Sequence, residues 1–165
     1  EDAGKLESTL IVYSADHGEM LGDHGLYTKS VPYEAALRVP LLIAGPGVEG
    51  GRVSDALVEL IDINPTICEL AGLPEQLQID AESVAPILRD EGATHRSETV
   101  SAIREFRCIR TERYKYIENY NALDELYDLE QDPDELVNQV ASAPDVVRML
   151  ARRLHNRYLE DKWRR

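Results

Sequence analysis

The sequence predicts an α/β fold in two parts. Residues 1–95 form part of a larger domain in which helices flank a sheet, and residues 96–165 form a small four-stranded antiparallel sheet followed by a C-terminal helix. Two observations predict this order. The first part holds continuous apolar runs between helical patterns, as α/β domains do. The second part holds four short strand-like runs separated by polar turns, which is typical of an antiparallel sheet.

Two apolar, β-branched runs in the first part predict buried strands. They lie at residues 9–13 and 39–44, and each is followed by a polar or glycine-containing segment. Because both faces of such a run are apolar, we expect parallel strands that are covered on both sides. Residues 58–61 predict a short third strand.

Residue types that are typical of helix ends predict the helices of the first part. Asp62 is suited to cap the N-terminus of a helix that Gly72 ends, and residues 83–88 predict a second, short helix. Residues 90–97 are polar and contain a glycine, so we expect a surface linker there.

Four short strands and a helix make up the second part. The strands are predicted at Thr99 to Ile103, Phe106 to Arg110, Tyr114 to Glu118 and Glu125 to Leu129. The helix begins at about Asp145. Four cations lie on or beside these strands, namely Arg107, Arg110, Arg113 and Lys115. Alternation along short strands favours an exposed face for them over an anion-binding site.

Charge and hydropathy argue against two classes of partner. The formal net charge is −13 over 165 residues, which disfavours binding to nucleic acid. No stretch approaches the roughly 18 apolar residues that a membrane span needs, so we expect no membrane span. The N-terminal residues carry neither an initiating Met nor a signal-peptide pattern, so any export signal would precede Glu1.

The chemistry concentrates in the segment that follows the first predicted strand. It contains two Asp-His-Gly triplets, at residues 16–18 and 23–25, and then Lys29. Ligand sites in α/β sheets lie beyond the carboxyl ends of strands, where this segment begins. A carboxylate and a neutral imidazole suit a divalent cation, and a lysine suits a tetrahedral oxyanion. The pattern therefore marks a candidate site for a metal and an anionic group.

Three ordered blocks of sequence resemble the type I, formylglycine-dependent sulfatases of the alkaline phosphatase superfamily. The first block is Asp-His-Gly-x-x-Leu-Gly-x-His-Gly-x-x-x-Lys at residues 16–29, followed by Arg-Val-Pro-Leu at 38–41. The second is Asp-Ile-Asn-Pro-Thr at 62–66. The third is Arg-Thr-Glu-Arg-Tyr-Lys-Tyr-Ile at 110–117, followed by Asp-Pro-x-Glu-x-x-Asn at 132–138. They resemble the C-terminal portion of such enzymes. The resemblance thus implies part of an alkaline-phosphatase-like catalytic domain over residues 1–95 and an antiparallel subdomain over residues 96–165.

The resemblance assigns roles to four residues. Asp16 and His17 are implied to be ligands of a divalent metal, which is usually calcium in sulfatases. Lys29 is implied to contact the sulfate oxygens and to stabilise charge as the S–O bond breaks. His24 stays open between a substrate contact, a hydrogen bond within the site and an ordinary loop histidine.

The resemblance also implies that catalysis needs residues outside this sequence. The family nucleophile is a formylglycine made from Cys or Ser in a Cys/Ser-x-Pro/Ala-Ser-Arg segment, and neither Cys68 nor Cys108 lies in one. We therefore expect a parent protein that hydrolyses sulfate esters, whose N-terminal half completes the site, and a fragment that is inactive alone. Because that half would cover part of residues 9–90, we expect exposed apolar surface there. Many relatives are exported, which favours a periplasmic or secreted parent.

Two alternatives stay open. Phosphonate and phosphate ester hydrolases of the same superfamily share the Asp-His-Gly and lysine pattern, and a histidine at position 17 is compatible with their use of Mn²⁺ or Zn²⁺. The other alternative is a binding or structural module that is not part of an enzyme. A Cys/Ser-x-Pro/Ala-Ser-Arg segment in the upstream reading frame would exclude that module.

Overall fold

The computed structural model describes residues 4–74 and 80–163. The strands are Ile11–Ser14 (β1), Leu41–Ala44 (β2), Glu98–Ala102 (β3), Phe106–Thr111 (β4), Tyr114–Asn119 (β5) and Glu125–Asp128 (β6). The α-helices are Glu34–Leu37 (α1), Ile63–Leu70 (α2), Ala85–Arg89 (α3) and Pro144–Trp163 (α4). Further 3-10 helices lie at Leu6–Ser8, Asp23–Gly25 and Leu60–Asp62. Among the described residues, no helix is long and apolar enough to cross a membrane.

Contacts divide the chain into two compact units. The first comprises Glu1–Asp16 and Val39–Arg96, and the second comprises His17–Arg38 and Ser97–Arg165. The second unit is therefore discontinuous, because an early segment of the chain belongs with the C-terminal sheet. The expected domains at residues 1–95 and 96–165 stay a prediction.

β1 and β2 pair in antiparallel orientation, so the expectation of parallel strands is wrong for this pair. Ile11 pairs with Ala44, and Ser14 pairs with Leu41. A continuous apolar run carries no information about the direction of a strand. A parallel pair would also need a crossover, usually a helix, and the longest α-helix between these two strands is the four-residue α1.

One face of this two-stranded sheet is apolar and exposed. Alternation puts Ile11, Tyr13, Leu42 and Ala44 on that face. The exposed fractions of Ile11, Tyr13 and Leu42 are 48%, 62% and 59%. The expectation that these strands are covered on both sides is therefore wrong within this chain, whereas the expectation of exposed apolar surface in residues 9–90 is confirmed.

The strand expected at residues 58–61 does not form. Leu57 makes an isolated bridge with Arg96, and a 3-10 helix follows at Leu60–Asp62. Asp62 precedes α2 as predicted, but its carboxylate accepts a hydrogen bond from the Glu59 N–H at 2.9 Å. Asp62 therefore caps the 3-10 helix, and the apolar residues before it belong to that helix.

Residues 90–97 end in a buried ion pair, so the expectation of a surface linker is wrong at that end. Only 3% of the Arg96 side chain and 5% of the His95 side chain are exposed. Both contact the fully buried Asp62, with Nε of Arg96 at 2.8 Å and Nε2 of His95 at 3.2 Å from its carboxylate. A buried carboxylate requires such partners, and polar composition alone does not distinguish them from solvent-exposed residues.

The four predicted strands of the second part form one antiparallel sheet in the order β3-β4-β5-β6. Helix α4 packs on one face, where Leu150 and Leu154 join Ile109 and Leu126 in a buried cluster. The opposite face buries Phe106, Cys108, Ile117 and Tyr127. The predicted fold class, an α/β part followed by a four-stranded antiparallel sheet and a C-terminal helix, is confirmed.

Because both faces of this sheet are covered, alternation does not expose all of its cations. Lys115 alternates with Ile117 on an apolar face and is fully buried. It pairs there with Glu34 and Glu135. The expectation of an exposed face is therefore wrong for Lys115, whereas the Arg113 side chain is 46% exposed.

Candidate functional site

The segment that carries the predicted site residues folds back on itself. The N–H of Met20 donates to the carbonyl oxygen of Thr28 at 3.0 Å, and the carboxylate of Glu19 accepts a hydrogen bond from the Thr28 N–H. The Met20 side chain is buried and anchors this turn. These contacts close the loop and bring Lys29 back beside its beginning.

Three residues of this loop have backbone angles that side chains disfavour. Leu21, His24 and Thr28 have φ values of 48°, 53° and 80°. Such conformations cost on the order of 1–3 kcal/mol each and cluster at functional sites. For Thr28 the angle is a clear outlier, because a β-branched side chain crowds the left-handed region most.

Gly18 and Glu19 are hydrogen-bonded to helix α1. The N–H of Gly18 donates to Ala36 O at 2.8 Å, and the N–H of Glu19 donates to Ala35 O at 3.0 Å. A Cβ atom at position 18 would lie 2.0 Å from Ala35 O. The first Asp-His-Gly triplet therefore needs its glycine because the backbone of α1 leaves no space for a side chain.

The imidazole of His17 lies between a backbone carbonyl and the ammonium of Lys29. Its Nδ1 is 2.6 Å from Gly18 O, so Nδ1 carries the proton and Nε2 keeps its lone pair. Nζ of Lys29 contacts that Nε2 atom. A histidine that binds a metal does so through a ring nitrogen that carries no proton, while its other ring nitrogen donates a hydrogen bond, as Nδ1 does here.

Asp16 lies two residues beyond β1 and is exposed. With His17 it offers a carboxylate oxygen and an imidazole nitrogen, a donor pair whose chemistry suits a divalent cation. In the described part of the chain, no group of three or more His, Cys, Asp or Glu side chains is arranged to hold a metal ion. The donor chemistry thus fits a metal, but these residues do not form a complete cage.

His24 lies flat against Tyr33. Their ring centroids are 4.1 Å apart and the ring planes differ by 8°, so the two rings are stacked. The Tyr33 hydroxyl donates to Glu125 at 3.0 Å. Burial, together with the nearby Glu125 carboxylate, raises the pKa of Tyr33 to about 12, so the hydroxyl remains a donor at neutral pH. His24 and Tyr33 line a cleft of about 600 Å³, and the role of His24 stays a prediction.

The sequence analysis missed the residues that join this loop to the C-terminal sheet. Nζ of Lys115 is 2.7 Å from a carboxylate oxygen of Glu34 and 2.7 Å from one of Glu135. The available signal was the alternation of Lys115 with Ile117, because a lysine on an apolar face must be paired. Lys115 and Glu135 lie in the C-terminal blocks that resemble sulfatases. Their pairing with Glu34 had no local signal, since Glu34 and Glu135 are 101 residues apart.

Residues 22–162 match the family model described as N-sulphoglucosamine sulphohydrolase, C-terminal. The chain belongs to the sulfatase family. The match covers the loop from residue 22 onward and the whole antiparallel sheet, so the chain is a C-terminal portion of a sulfatase, as the resemblance implied. Asp16 and His17 precede the matched residues.

Curated sulfatases are similar to almost the whole chain. Arylsulfatase K of Homo sapiens is 32% identical over 167 residues, covering 92% of this chain and 31% of the relative. N-acetylglucosamine-6-O-sulfatase of Bacteroides thetaiotaomicron is 33% identical over 153 residues, covering 84% of this chain and 27% of the relative. This sulfatase chain therefore spans about a third of the length of the curated relatives it matches.

Solved structures share the fold of this sulfatase chain. One is a protein in complex with its substrate D-glucosamine-2-N,6-O-disulfate, with a TM-score of 0.89, 30% identity, and coverage of 98% of this chain and 36% of that one. Another is the phosphonate monoester hydrolase of Agrobacterium radiobacter, with a TM-score of 0.81, 28% identity, and coverage of 97% and 37%. The fold thus occurs in enzymes of more than one ester class.

Proposed function

We propose that this chain belongs to a sulfate-ester hydrolase, to which it supplies two metal ligands and a sulfate-binding lysine. The observation that carries the proposal is the contact between Lys29 and His17 on the loop after β1, in a chain of the sulfatase family. The Nε2 lone pair of His17 faces the positive charge of Lys29 in this structure; a bound metal would take that place, with Lys29 turned to the anion beside it.

Asp16 and His17 are the proposed metal ligands. Sulfatases generally use a divalent metal, and such a metal polarises the ester oxygens and neutralises their charge. Asp16 provides an anionic oxygen, and His17 provides a neutral nitrogen at Nε2. The contact of His17 Nδ1 with Gly18 O supports this role, because it holds the ring in the required tautomer. Ca²⁺ is the proposed metal, as the resemblance to sulfatases implies.

Lys29 is the proposed contact of the sulfuryl oxygens. Its ammonium is a compact charge with three donors that fits a tetrahedral anion. Thr28, directly before it, is held by Glu19 and Met20, so the backbone of Lys29 is fixed before substrate arrives. Preorganised charge of this kind stabilises the negative charge that develops as the S–O bond breaks.

His24 is proposed to act at the same site, through a substrate contact or a hydrogen bond to a neighbouring site residue. Its stacking on Tyr33 supports a fixed ring plane. The hydrogen bond from Tyr33 to Glu125 holds the aromatic platform itself in place.

The nucleophile is proposed to come from outside these 165 residues. Neither Cys68 nor Cys108 lies in the segment that yields formylglycine. Cys108 is only 1% exposed, and burial raises the pKa of its thiol to about 11, so it is inert at neutral pH. The exposed apolar face of β1 and β2 supports a remainder of the protein that packs on this chain. We expect the 165-residue chain alone to be inactive on sulfate esters.

The test uses the full-length protein, as wild type and Asp16→Ala, with an aryl sulfate as substrate. We expect the wild type to hydrolyse the ester and to contain a divalent metal. Asp16→Ala should lose most of both, because an anionic ligand is removed from a site that must also hold sulfate. Asp55→Ala removes an exposed carboxylate and should change neither. Full metal content and turnover in Asp16→Ala, or a wild type without divalent metal in elemental analysis, would contradict the proposal.

A phosphonate or phosphate ester hydrolase is the second candidate. The likeness to a phosphonate monoester hydrolase favours it, and so does His17, because imidazole suits Mn²⁺ and Zn²⁺ whereas Ca²⁺ prefers oxygen ligands. Assaying a phosphonate monoester beside the aryl sulfate distinguishes the two. The ratio of the two kcat/KM values, together with the identity of the bound metal, decides between them.

A further inference from the structure

Lys115 lies at the centre of a buried ion cluster. Its side chain is fully buried. Its Nζ lies 2.7 Å from Glu34 Oε1, 2.7 Å from Glu135 Oε1 and 3.0 Å from Pro32 O. The ammonium thus makes two ion pairs and one hydrogen bond to a carbonyl oxygen. A buried charge is tolerated only when it is paired in this way.

The cluster joins three separate segments of the chain. Lys115 is on β5, Glu34 is the first residue of α1, and Glu135 follows β6. The N–H of Glu34 also donates to Glu135 Oε2 at 2.7 Å, so α1 is held at its first residue by main chain and side chain. Burial disfavours the charged form of Glu34, but the ammonium of Lys115, with help from Arg110 and Arg38, holds the pKa of Glu34 below its usual value. The charged carboxylate therefore keeps α1 attached to β5 at neutral pH.

Helix α1 in turn holds the residue next to His17. The carbonyl oxygens of Ala36 and Ala35 accept hydrogen bonds from the N–H groups of Gly18 and Glu19. Gly18 packs so tightly on α1 that no Cβ fits between them, so a displacement of α1 must move Gly18. The ring of His17 follows, because its Nδ1 contacts Gly18 O.

We infer that Lys115 is a positioning residue for His17: the buried cluster fixes α1, and α1 fixes the backbone from which the imidazole reaches the metal. The inference rests on the proposed function, since metal binding by His17 is itself proposed. Lys115 is fully buried within the cluster and acts through a continuous path of contacts from β5 to Gly18. Glu135 adds support, because its φ of 56° is a strained angle that persists only where several contacts determine it.

Lys115→Met in the full-length protein tests the inference. Methionine has a similar length but no charge, so Glu34 and Glu135 are left facing each other without the ammonium and α1 should shift. We expect the affinity for Ca²⁺ and for Mn²⁺, titrated into metal-free protein, to fall by about tenfold or more. In the metal-free state, we expect hydrogen exchange in the peptide that covers residues 17–20 to become faster.

Arg113→Met is the matched control. Arg113 pairs with Asp128 beside the same strand, so this variant also loses an ion pair of the sheet but leaves the cluster intact. Metal affinity and exchange at residues 17–20 should stay at wild-type values. Cys108 reports the fold in every variant, because it is 1% exposed and resists alkylation while the sheet is intact. If Lys115→Met exposes Cys108, Glu135→Gln takes its place, since it keeps the shape of Glu135 but removes one charge from the cluster, and the same two changes are expected.

The outcomes separate this inference from the proposed function. A folded variant of the cluster with wild-type metal affinity overturns the positioning inference alone, even if exchange at residues 17–20 is faster, because the cluster is then only structural. A wild-type protein that binds neither Ca²⁺ nor Mn²⁺ overturns the proposed function, and the positioning of His17 for a metal falls with it.

Discussion

Replacing Lys29 best tests whether this loop takes part in catalysis or is an ordinary exposed loop. Its ammonium contacts His17, whereas a surface lysine without a function contributes within about 0.5 kcal/mol. In the full-length protein, we expect Lys29→Ala to lower kcat/KM for an aryl sulfate by roughly a hundredfold or more, which is about 3 kcal/mol of transition-state stabilisation. Lys29→Arg should not fully restore the rate, because a planar guanidinium differs in shape from a point ammonium.

The control for Lys29 is Lys5→Ala, which removes an exposed lysine near the N-terminus. Its kcat/KM should stay within about twofold of wild type. If Lys29→Ala keeps nearly full turnover on both the sulfate and the phosphonate ester, Lys29 does not belong to the site. The proposed metal ligands Asp16 and His17 would survive that result.

The sequence around Asp62 predicted a helix cap, and the structure shows a buried ion pair with Arg96 at the same residue. It precedes α2 as predicted, but its carboxylate accepts hydrogen bonds from the N–H groups of Glu59 and Glu82 at 2.9 and 2.7 Å and pairs with Arg96. Burial opposes ionisation of Asp62, but the Arg96 guanidinium and the two N–H groups hold its pKa below the usual value. The sequence marks the helix boundary but not a partner 34 residues away.

Removing the charge of Asp62 should destabilise the chain in a pH-dependent way. Because its pKa is lowered in the folded state, its contribution is complete above the unfolded-state pKa of about 3.9 and is lost as pH falls below that value. Asp62→Asn should lower the free energy of unfolding by about 3 kcal/mol at pH 7, since Arg96 loses its closest counter-charge, and by less at pH 3. Urea unfolding at both pH values measures this, with the exposed Asp55→Asn as control. An equal loss at both pH values would show that the charge of Asp62 is not responsible.

Among the elements, the C-terminal sheet follows from local sequence. No end of β3 to β6 differs by more than one residue from its predicted position, because polar turns at residues 104–105 and 112–113 end the strands sharply. The direction of β1 and β2 does not follow from local sequence, since an apolar run indicates burial and not orientation.

The candidate site also combines residues that are close in the sequence with residues that are far apart in it. Asp16, His17 and Lys29 lie within one short segment, so residue types, spacing and the family resemblance were enough to propose them as site residues, and their roles stay predictions. Lys115 and Glu135 hold that segment from the far end of the chain, and no periodic pattern connects such distant residues. The candidate loop could therefore be identified from local sequence, whereas its contacts with Lys115 and Glu135 could not.

The contact between the loop and α1 gives a prediction for glycine replacement. Gly18→Ala would put a Cβ 2.0 Å from Ala35 O, so either α1 or the loop must move. In the full-length protein, we expect kcat/KM to fall by about tenfold or more, or roughly 1.4 kcal/mol. Gly50→Ala is the matched control, because no atom lies within 4 Å of its Cβ position. Equal activity of the two variants would mean that the loop can leave α1 without consequence.

Over the whole molecule, fully buried apolar side chains are unevenly shared between the two units. In the described part of the first unit they are Val84 and Ala85, whereas the second unit buries a cluster on each face of its sheet. Hydrophobic burial is the main source of stability. We therefore expect the amides of β1 and β2 in the isolated chain to exchange at least about tenfold faster than those of β4 and β5. Mass spectrometry of hydrogen exchange measures this, and equal protection of the two sheets would contradict it.

Because the second unit is discontinuous, its two parts are synthesised at different times. Pro32 O and Lys115 Nζ are 83 residues apart along the chain, and Glu34 and Glu135 are 101 apart. Residues 17–38 therefore leave the ribosome well before any of these partners exists. Distant contacts of this kind form late in folding, because the intervening chain must first be ordered or looped out. The segment that carries the proposed site is thus synthesised well before its partners in the second unit and is among the last parts of that unit to reach its final shape.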